Sequence, residues 1–125
     1  MITVGIVDDH QLFSSSLGIM LENFQKYKVV VEAINGKDLQ PKITALTQQP
    51  DLLLIDVNMP VMDGIEATKQ IRLLPEYSNV PIIGVTAGNV LGEKEKCLDS
   101  GMNDFLPKPL RQADLLEMRS EEHTS

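Results

Sequence analysis

The sequence predicts an α/β fold in which helices cover both faces of a five-stranded parallel sheet. Three observations support this prediction: five short apolar segments, helix-period apolar stripes between them, and regular alternation of the two along the chain. Repeated alternation of strand and helix produces a parallel sheet with right-handed crossovers. The length of 125 residues fits one domain.

The strand candidates are short, and β-branched residues are prominent in the first four of them. A near-continuous apolar run such as Leu52–Ile55 suits a central strand that is buried on both faces. The predicted strands are Thr3–Val7, Lys28–Ala33, Leu52–Ile55, Pro81–Val85 and Asp104–Leu106. Five such units match the doubly wound, flavodoxin-like strand order 2-1-3-4-5, in which functional groups collect at the carboxyl ends of the strands.

The helix candidates carry apolar residues at a spacing of three or four. These stripes are Phe13, Leu17, Met20, Leu21 and Phe24 in the first helix, Leu39, Ile43 and Leu46 in the second, and Ala67, Ile71 and Leu74 in the third. A fourth helix is predicted from about Leu91 to Ser100, with Gly101 as its C-terminal stop. A fifth helix is predicted to begin near Arg111.

Composition and charge exclude several function classes. The formal net charge of -7 argues against nucleic-acid binding by this domain itself and favours cationic partners or bound cations. No apolar run approaches the roughly 20 residues that a membrane span requires. The single cysteine, Cys97, cannot form an internal disulfide, which fits a reducing compartment. We therefore expect an acidic cytoplasmic domain that does not bind membranes.

The C-terminal segment 119–125 differs from the rest of the chain. It breaks the helical pattern of Leu115 and Leu116, and it is similar to the in-frame translation of a common sequencing adapter. We expect residues 1–118 to form the domain and 119–125 to be a non-native tail, so that the fifth helix is cut short. A native polar terminus is the alternative, and the encoding DNA distinguishes the two.

Acidic residues follow two of the predicted strands. Asp8 and Asp9 come after the first strand, and Asp56 comes after the third. Two carboxylates about 4 Å apart repel by about 4 kcal/mol at an effective dielectric near 20, so three together call for a cation, a raised pKa or another functional reason. Oxygen ligands suit a hard ion, and magnesium is the expected one. Alternatively, Asp9 is the N-cap of the first helix, and the neighbouring His10 is an ordinary surface residue.

Two further polar residues are predicted at the same edge of the sheet. Thr86 follows the fourth strand, and Lys108 follows the fifth. A hydroxyl and an ammonium group there can both contact a phosphoryl oxygen. Either residue alone is more often an ordinary strand-end or solvated group. Five polar groups from four strand ends, however, favour phosphoryl chemistry at this edge.

Four motifs in this order resemble the receiver domains of two-component signalling systems, and the resemblance extends over residues 1–118. The motifs are Val7-Asp8-Asp9, the stretch from Leu54 to Gly64 that contains Asp56, Val85-Thr86-Ala87, and Leu106-Pro107-Lys108-Pro109. The resemblance implies that Asp56 accepts a phosphoryl group from a phosphohistidine. It also implies that Asp8, Asp9, Asp56 and the backbone carbonyl of Asn58 bind Mg²⁺.

The resemblance further implies a switch. Thr86 would bond the phosphoryl group, Lys108 would pair with it, and Phe105 would turn into the space that Thr86 leaves. An ordinary core position is the alternative for Phe105. The altered surface would comprise the fourth helix, fifth strand and fifth helix. It would control an output, which we expect to be transcription, and the partner would be a sensor histidine kinase or a histidine phosphotransfer protein.

Other readings of the sequence remain open. A phosphatase that forms an aspartyl phosphate would need a second acidic residue where Asn58 stands, and a flavin-binding flavodoxin would need a hydroxyl-rich phosphate loop after the first strand. A degenerate receiver would bind partners without phosphorylation. The segment from Gly101 to Pro109 resembles receivers of hybrid histidine kinases, whereas the start of the chain favours a bacterial response regulator. We expect a monomer, because the shortened fifth helix weakens the surface through which many receivers pair.

Overall fold

A five-stranded parallel sheet forms the centre of the structure, a computed structural model that describes residues 2–23, 26–57, 62–86 and 91–107. The strands are β1 (Ile2–Val7), β2 (Tyr27–Ala33), β3 (Leu52–Asp56), β4 (Ile82–Thr86) and β5 (Asp104–Pro107). Their order in the sheet is β2-β1-β3-β4-β5, and each neighbouring pair is parallel. The predicted fold class and strand order are therefore confirmed.

Four α-helices, and a short 3₁₀ helix at Pro75–Tyr77, connect the strands in the described part of the chain. The α-helices are α1 (Gln11–Asn23), α2 (Gly36–Thr44), α3 (Gly64–Arg72) and α4 (Leu91–Ser100). The predicted bounds of the fourth helix are confirmed. The predicted fifth helix and the segment 119–125 lie outside the described residues.

The predicted stop at Gly101 is also confirmed. This glycine has a φ of 114°, in the region that favours glycine. Its N–H donates to the carbonyl of Leu98, and the N–H of Met102 donates to the carbonyl of Cys97. This paired arrangement satisfies the last carbonyls of α4 and ends the helix.

Two apolar clusters lie on opposite faces of the sheet. One contains Leu52 and Leu54 of β3 together with Leu17 and Leu21 of α1. The other contains Leu53 and Ile55 of β3 and side chains from the other three helices, namely Leu39, Ile43, Ile71 and Cys97. Alternate residues of β3 thus face opposite clusters, as the period of a strand requires. Burial on both faces explains why this strand is apolar from Leu52 to Ile55.

Helix α2 begins with a capping arrangement. Asn35 Oδ1 accepts a hydrogen bond from the Asp38 N–H at 2.9 Å, and Asp38 Oδ2 accepts one from the Ile34 N–H at 3.1 Å. The same Asp38 oxygen lies 2.9 Å from Lys42 Nζ, one helical turn away. The hydrogen bond from Lys42, followed by that from Ile34, lowers the pKa of Asp38 below its ordinary value of 3.8. The folded state therefore favours the ionised carboxylate.

We expect Asp38→Asn to lower the free energy of unfolding by about 0.5–1 kcal/mol at neutral pH, and by less in acid. A carboxyl group with a lowered folded-state pKa stabilises the fold above its unfolded pKa, and it loses this contribution as the pH falls through the folded value. Urea unfolding of both proteins across this pH range measures the difference. Asp99→Asn changes an exposed carboxylate on α4 and is the control. A difference between wild type and Asp38→Asn that is independent of pH would contradict the assignment.

Arg72 links three segments at the amino-terminal edge of the sheet. Its Nε and Nη2 donate to the Gly101 carbonyl at 3.0 and 2.8 Å, and Nη2 also donates to Asn103 Oδ1 at 2.8 Å. Nη1 donates to the carbonyls of Tyr77 and Val80, both at 2.7 Å. All five N–H donors of the guanidinium group are thus used. Burial lowers the pKa of the Arg72 side chain.

Candidate functional site

The carboxyl ends of three adjacent strands bring the predicted polar residues together. Asp8 directly follows β1, Asp56 is the last residue of β3, and Thr86 is the last residue of β4. Backbone hydrogen bonds continue past these ends, because the Val57 N–H donates to the Val85 carbonyl at 2.9 Å. The sheet ladder therefore fixes the backbone from which Asp56 and Thr86 project.

Four side chains form an acidic cluster at this edge: Asp8, Asp9, His10 and Asp56. One carboxylate oxygen from each aspartate and one ring nitrogen of the histidine all lie within 4.8 Å of one another. Asp8 and Asp56 are 3% and 2% exposed, Asp9 is partly buried, and His10 is exposed. The cluster is therefore accessible from the His10 side and buried at its base.

Hydrogen bonds within the cluster fix Asp8 and His10. Asp8 Oδ1 accepts the backbone N–H of His10 at 2.7 Å and lies 3.2 Å from His10 Nδ1. That nitrogen also lies 3.1 Å from Asp9 Oδ1. Helix α1 begins at Gln11, so His10, and not Asp9, directly precedes the helix.

The donor set fits a divalent cation. Three carboxylates converge on one small space, and Asp9 Oδ1 is buried there without a hydrogen bond from any described residue. A buried carboxylate oxygen that accepts no hydrogen bond is costly, and a bound cation reduces that cost. Asp8, Asp9 and Asp56 are the residues of the cluster that could hold such an ion through oxygen.

Gly64 allows α3 to begin close to the site. A Cβ atom at this position would collide with the carbonyl oxygen of Asp56 and would lie 2.9 Å from Val57 Cα. The Gly64 N–H donates to the Val57 carbonyl at 3.0 Å, and Asp63 Oδ1 caps the helix by accepting the Glu66 N–H at 2.8 Å. A glycine at this position therefore lets the start of α3 lie against the backbone of Asp56.

Of the remaining predicted site residues, the structure describes Thr86 and Phe105 and does not describe Asn58 and Lys108. Thr86 is fully buried at the end of β4. Phe105 lies in β5, is partly buried, and is opposite Gly84 of β4. Asn58 and Lys108 lie outside the described residues, so their predicted roles remain predictions. Sequence reasoning treated His10 as a surface residue, and its position directly after Asp8-Asp9 was the one signal that it belongs to the cluster.

The model of the response regulator receiver domain family matches residues 4–119 of this chain. The chain belongs to this family. Receiver domains are signalling modules of two-component systems, and they bind Mg²⁺ in the acidic pocket formed here by the strand-end aspartates. No helix among the described residues of this receiver domain is both long enough and apolar enough to cross a bilayer.

The curated relatives are much longer than this receiver domain. The chain is 37% identical over 114 residues to the signal transduction histidine-protein kinase BarA of Escherichia coli, which covers 90% of this chain and 12% of the kinase. It is 40% identical over 112 residues to the autoinducer sensor kinase/phosphatase CqsS of Vibrio cholerae. This match covers 89% of this chain and 16% of CqsS. A protein-glutamate methylesterase/protein-glutamine glutaminase of Clostridium acetobutylicum is 36% identical over 122 residues. This match covers 96% of this chain and 34% of the methylesterase. The chain therefore spans only about a third of the methylesterase and less than a fifth of each kinase.

Solved structures of receivers have the same fold. The receiver domain of a Pseudomonas aeruginosa sensor histidine kinase, with a magnesium ion coordinated in the active site cleft, has a TM-score of 0.81 and 33% identity, with 98% of both chains covered. The Vibrio cholerae chemotaxis protein CheY4 has a TM-score of 0.86 and 28% identity, covering 97% of this chain and 98% of that one. These structures confirm the fold, and the Pseudomonas aeruginosa receiver holds its magnesium ion in an active site cleft.

Proposed function

We propose that this receiver domain accepts a phosphoryl group on Asp56 in a Mg²⁺-dependent reaction, with a phosphohistidine as donor. The observation that carries the proposal is the position of the Asp56 carboxylate, which is 2% exposed and clustered with Asp8 and Asp9 at the end of a central strand. The donor would be a sensor histidine kinase or a histidine phosphotransfer protein. Bound Mg²⁺ would offset the negative charge on the transferring group.

The chain's own residues would supply positioning and hydrogen bonding. A carboxylate is a modest nucleophile, so the rate depends on holding it in line with the phosphorus atom. An Asp56 oxygen would form the new P–O bond while the P–N bond to the donor imidazole breaks. The Thr86 hydroxyl, held at the end of the adjacent strand, would donate a hydrogen bond to a phosphoryl oxygen. Lys108 would pair with another phosphoryl oxygen.

Phosphorylation would then change a surface of the domain. The new group brings about −1.5 to −2 charges and strong acceptor oxygens to a buried site. Thr86 would move toward it, and Phe105 on the neighbouring strand would fill the space that is left. The altered surface would include α4 and β5, and it would control an output such as transcription.

A receiver within a larger sensor kinase is the second candidate context. BarA and CqsS are named as kinases, and the chain matches only 12% and 16% of their lengths. In that context the phosphoryl group on Asp56 would pass to a histidine of another domain, and would not act through a DNA-binding output. Both contexts use the same Asp56 chemistry.

Incubating the protein with acetyl phosphate and Mg²⁺ tests the proposal. We expect intact-mass spectrometry to show a gain of one phosphoryl group that requires Mg²⁺ and is lost when the metal is chelated. Asp56→Asn is the matched control, since it keeps the size of the side chain and removes the nucleophile. A gain that persists in Asp56→Asn would contradict the assignment. No gain in folded, Mg²⁺-bound protein would favour a phosphorylation-independent interaction module.

A further inference from the structure

The turn that follows α4, residues 101–103, is hydrogen-bonded to both α3 and β4. The Gly101 carbonyl accepts two N–H groups of Arg72, the last residue of α3, at 3.0 and 2.8 Å. The Asn103 N–H donates to the carbonyl of Ile82, the first residue of β4, at 2.8 Å. Asn103 Oδ1 accepts the Ile82 N–H at 2.9 Å and an Arg72 N–H at 2.8 Å. Both outer residues of the turn are therefore fixed by more than one bond.

The middle residue of the turn, Met102, is held by packing. Its side chain is 4% exposed and belongs to the apolar cluster that also contains Val57 and Cys97. A Cβ atom at Gly84 of β4 would lie 2.6 Å from Met102 Sδ and 3.1 Å from Val57 Cγ2. The methionine therefore fills the space that a side chain at position 84 would occupy, and it fastens the turn to the sheet.

The sequence of α4 offers much less apolar surface at its amino end. Among residues 95–100, only Cys97 and Ser100 are buried, and both lie in the carboxyl half of the helix. The first six residues, 91–96, contain four charged residues, one glycine and a single large apolar residue, Leu91. Glycine disfavours a helix, and a helix depends mainly on the packing of its apolar face. The stability of α4 therefore comes from its carboxyl end and from the turn that follows.

We propose that α4 is hinged at its carboxyl end, so that the turn 101–103 stays fixed while the amino end of the helix opens or moves. An element that is fixed at one end moves by rotation about that end, and the free end travels furthest. The inference rests on the proposed function only for the signal, because phosphorylation of Asp56 would be the event that moves the helix. It adds that Arg72, Met102 and Asn103 are positioning residues, which keep this movement from reaching α3.

Amide hydrogen exchange of the unphosphorylated protein, followed by NMR, tests the hinge. The N–H groups of Met102 and Asn103 donate to the carbonyls of Cys97 and Ile82. The protection factor of each amide is the ratio of its intrinsic exchange rate to its observed rate. We expect the protection factors of these two amides to exceed that of the Glu95 amide, in the amino half of α4, about tenfold or more. Equal or greater protection at Glu95 would overturn the inference.

Two variants separate the hinge from general stability. Asn103→Ala removes the side chain that joins Arg72 to Ile82, and we expect it to lower the protection of the Met102 amide about tenfold relative to the amides of β1. Lys69→Ala, which removes an exposed side chain from α3, is the matched control and should leave this ratio unchanged. A loss in Asn103→Ala that is the same in the turn and in β1 would show that Asn103 does not fix the turn.

Exchange in the presence of acetyl phosphate and Mg²⁺ separates failure of the inference from failure of the proposed function. Once intact mass shows a phosphoryl group on the protein, we expect protection at Glu95 to change about threefold or more, and protection at Met102 and Asn103 to stay within about twofold. A change in the turn as large as that at Glu95, or no change at Glu95, would overturn the inference. If the protein gains no phosphoryl group, the proposed function fails, and the exchange of the unphosphorylated protein still decides whether the hinge exists.

Discussion

Replacing Arg72 with alanine is expected to lower the free energy of unfolding by about 3–5 kcal/mol. The guanidinium group donates to the carbonyls of Gly101, Tyr77 and Val80 as well as to Asn103 Oδ1. Its removal leaves these partly buried acceptors without their donors and disconnects α3 from the segment before β5. Urea unfolding measures the loss.

Three further variants make the Arg72 prediction specific. Lys69→Ala removes an exposed basic side chain from the same helix and should change stability by less than about 0.5 kcal/mol. Arg72→Lys keeps the charge but lacks the planar group that reaches several acceptors, so we expect an intermediate loss. Gly101→Ala should cost about 1–2 kcal/mol, because its φ is 114° and the new Cβ would lie 2.9 Å from Arg72 Cγ. A loss in Arg72→Ala no larger than that in Lys69→Ala would contradict this account.

Asp8→Asn is expected to reduce the stabilisation of the fold by Mg²⁺ by about half or more. An ion that binds only the folded state raises stability with concentration, by about 2.7 kcal/mol at one hundred times its Kd. Asparagine keeps an oxygen that can accept the His10 N–H, but it removes one of the three clustered charges. The variant should therefore fold, bind Mg²⁺ at least about tenfold more weakly, and show an increase of Tm with Mg²⁺ that is clearly smaller than that of the wild type.

Thermal unfolding with and without Mg²⁺ measures this linkage. Asp99→Asn removes an exposed carboxylate near the end of α4 and should keep the full Mg²⁺ response of the wild type. An Asp8→Asn protein whose Tm rises with Mg²⁺ as much as that of the wild type would show that Asp8 is not a ligand. A wild type without any response would contradict the cation site itself.

The sheet was predictable from the sequence because its strands are buried on both faces. The apolar run Leu52–Ile55 requires a position that is buried on both faces, which a central strand provides. The predicted strand differs from β3 by one residue. The apolar pattern ended the strands too early, at Ile55 and Val85. The ladder continues through Asp56 and Thr86 because backbone hydrogen bonds do not depend on whether the side chain is apolar.

The helix ends were less predictable, because an apolar stripe can extend beyond the helix that begins it. Leu46 and Leu74 continue the stripes of α2 and α3, yet these helices end at Thr44 and Arg72. Both leucines still pack against the core from the segments that follow. Burial alone therefore could not mark where either helix ends.

The acidic part of the site was predictable, and its other contacts were not. Strand-end aspartates meet wherever parallel strands are adjacent, so the grouping of Asp8, Asp9 and Asp56 followed from topology. The orientation of His10 depends on its rotamer and on its contacts with Asp8 and Asp9, which no residue pattern encodes. In the sequence, Arg72 likewise resembles any basic residue near a helix end. Only the structure shows the carbonyl groups that accept its hydrogen bonds.

The identity of the phosphorylated residue tests the central claim most directly. Protein treated with acetyl phosphate and Mg²⁺ can be reduced with borohydride, which converts an aspartyl phosphate to homoserine, and its peptides can then be analysed by mass spectrometry. We expect homoserine at position 56 and at no other aspartate. Conversion at Asp8 or Asp9, or a phosphorylated protein in which position 56 remains aspartate, would contradict the account.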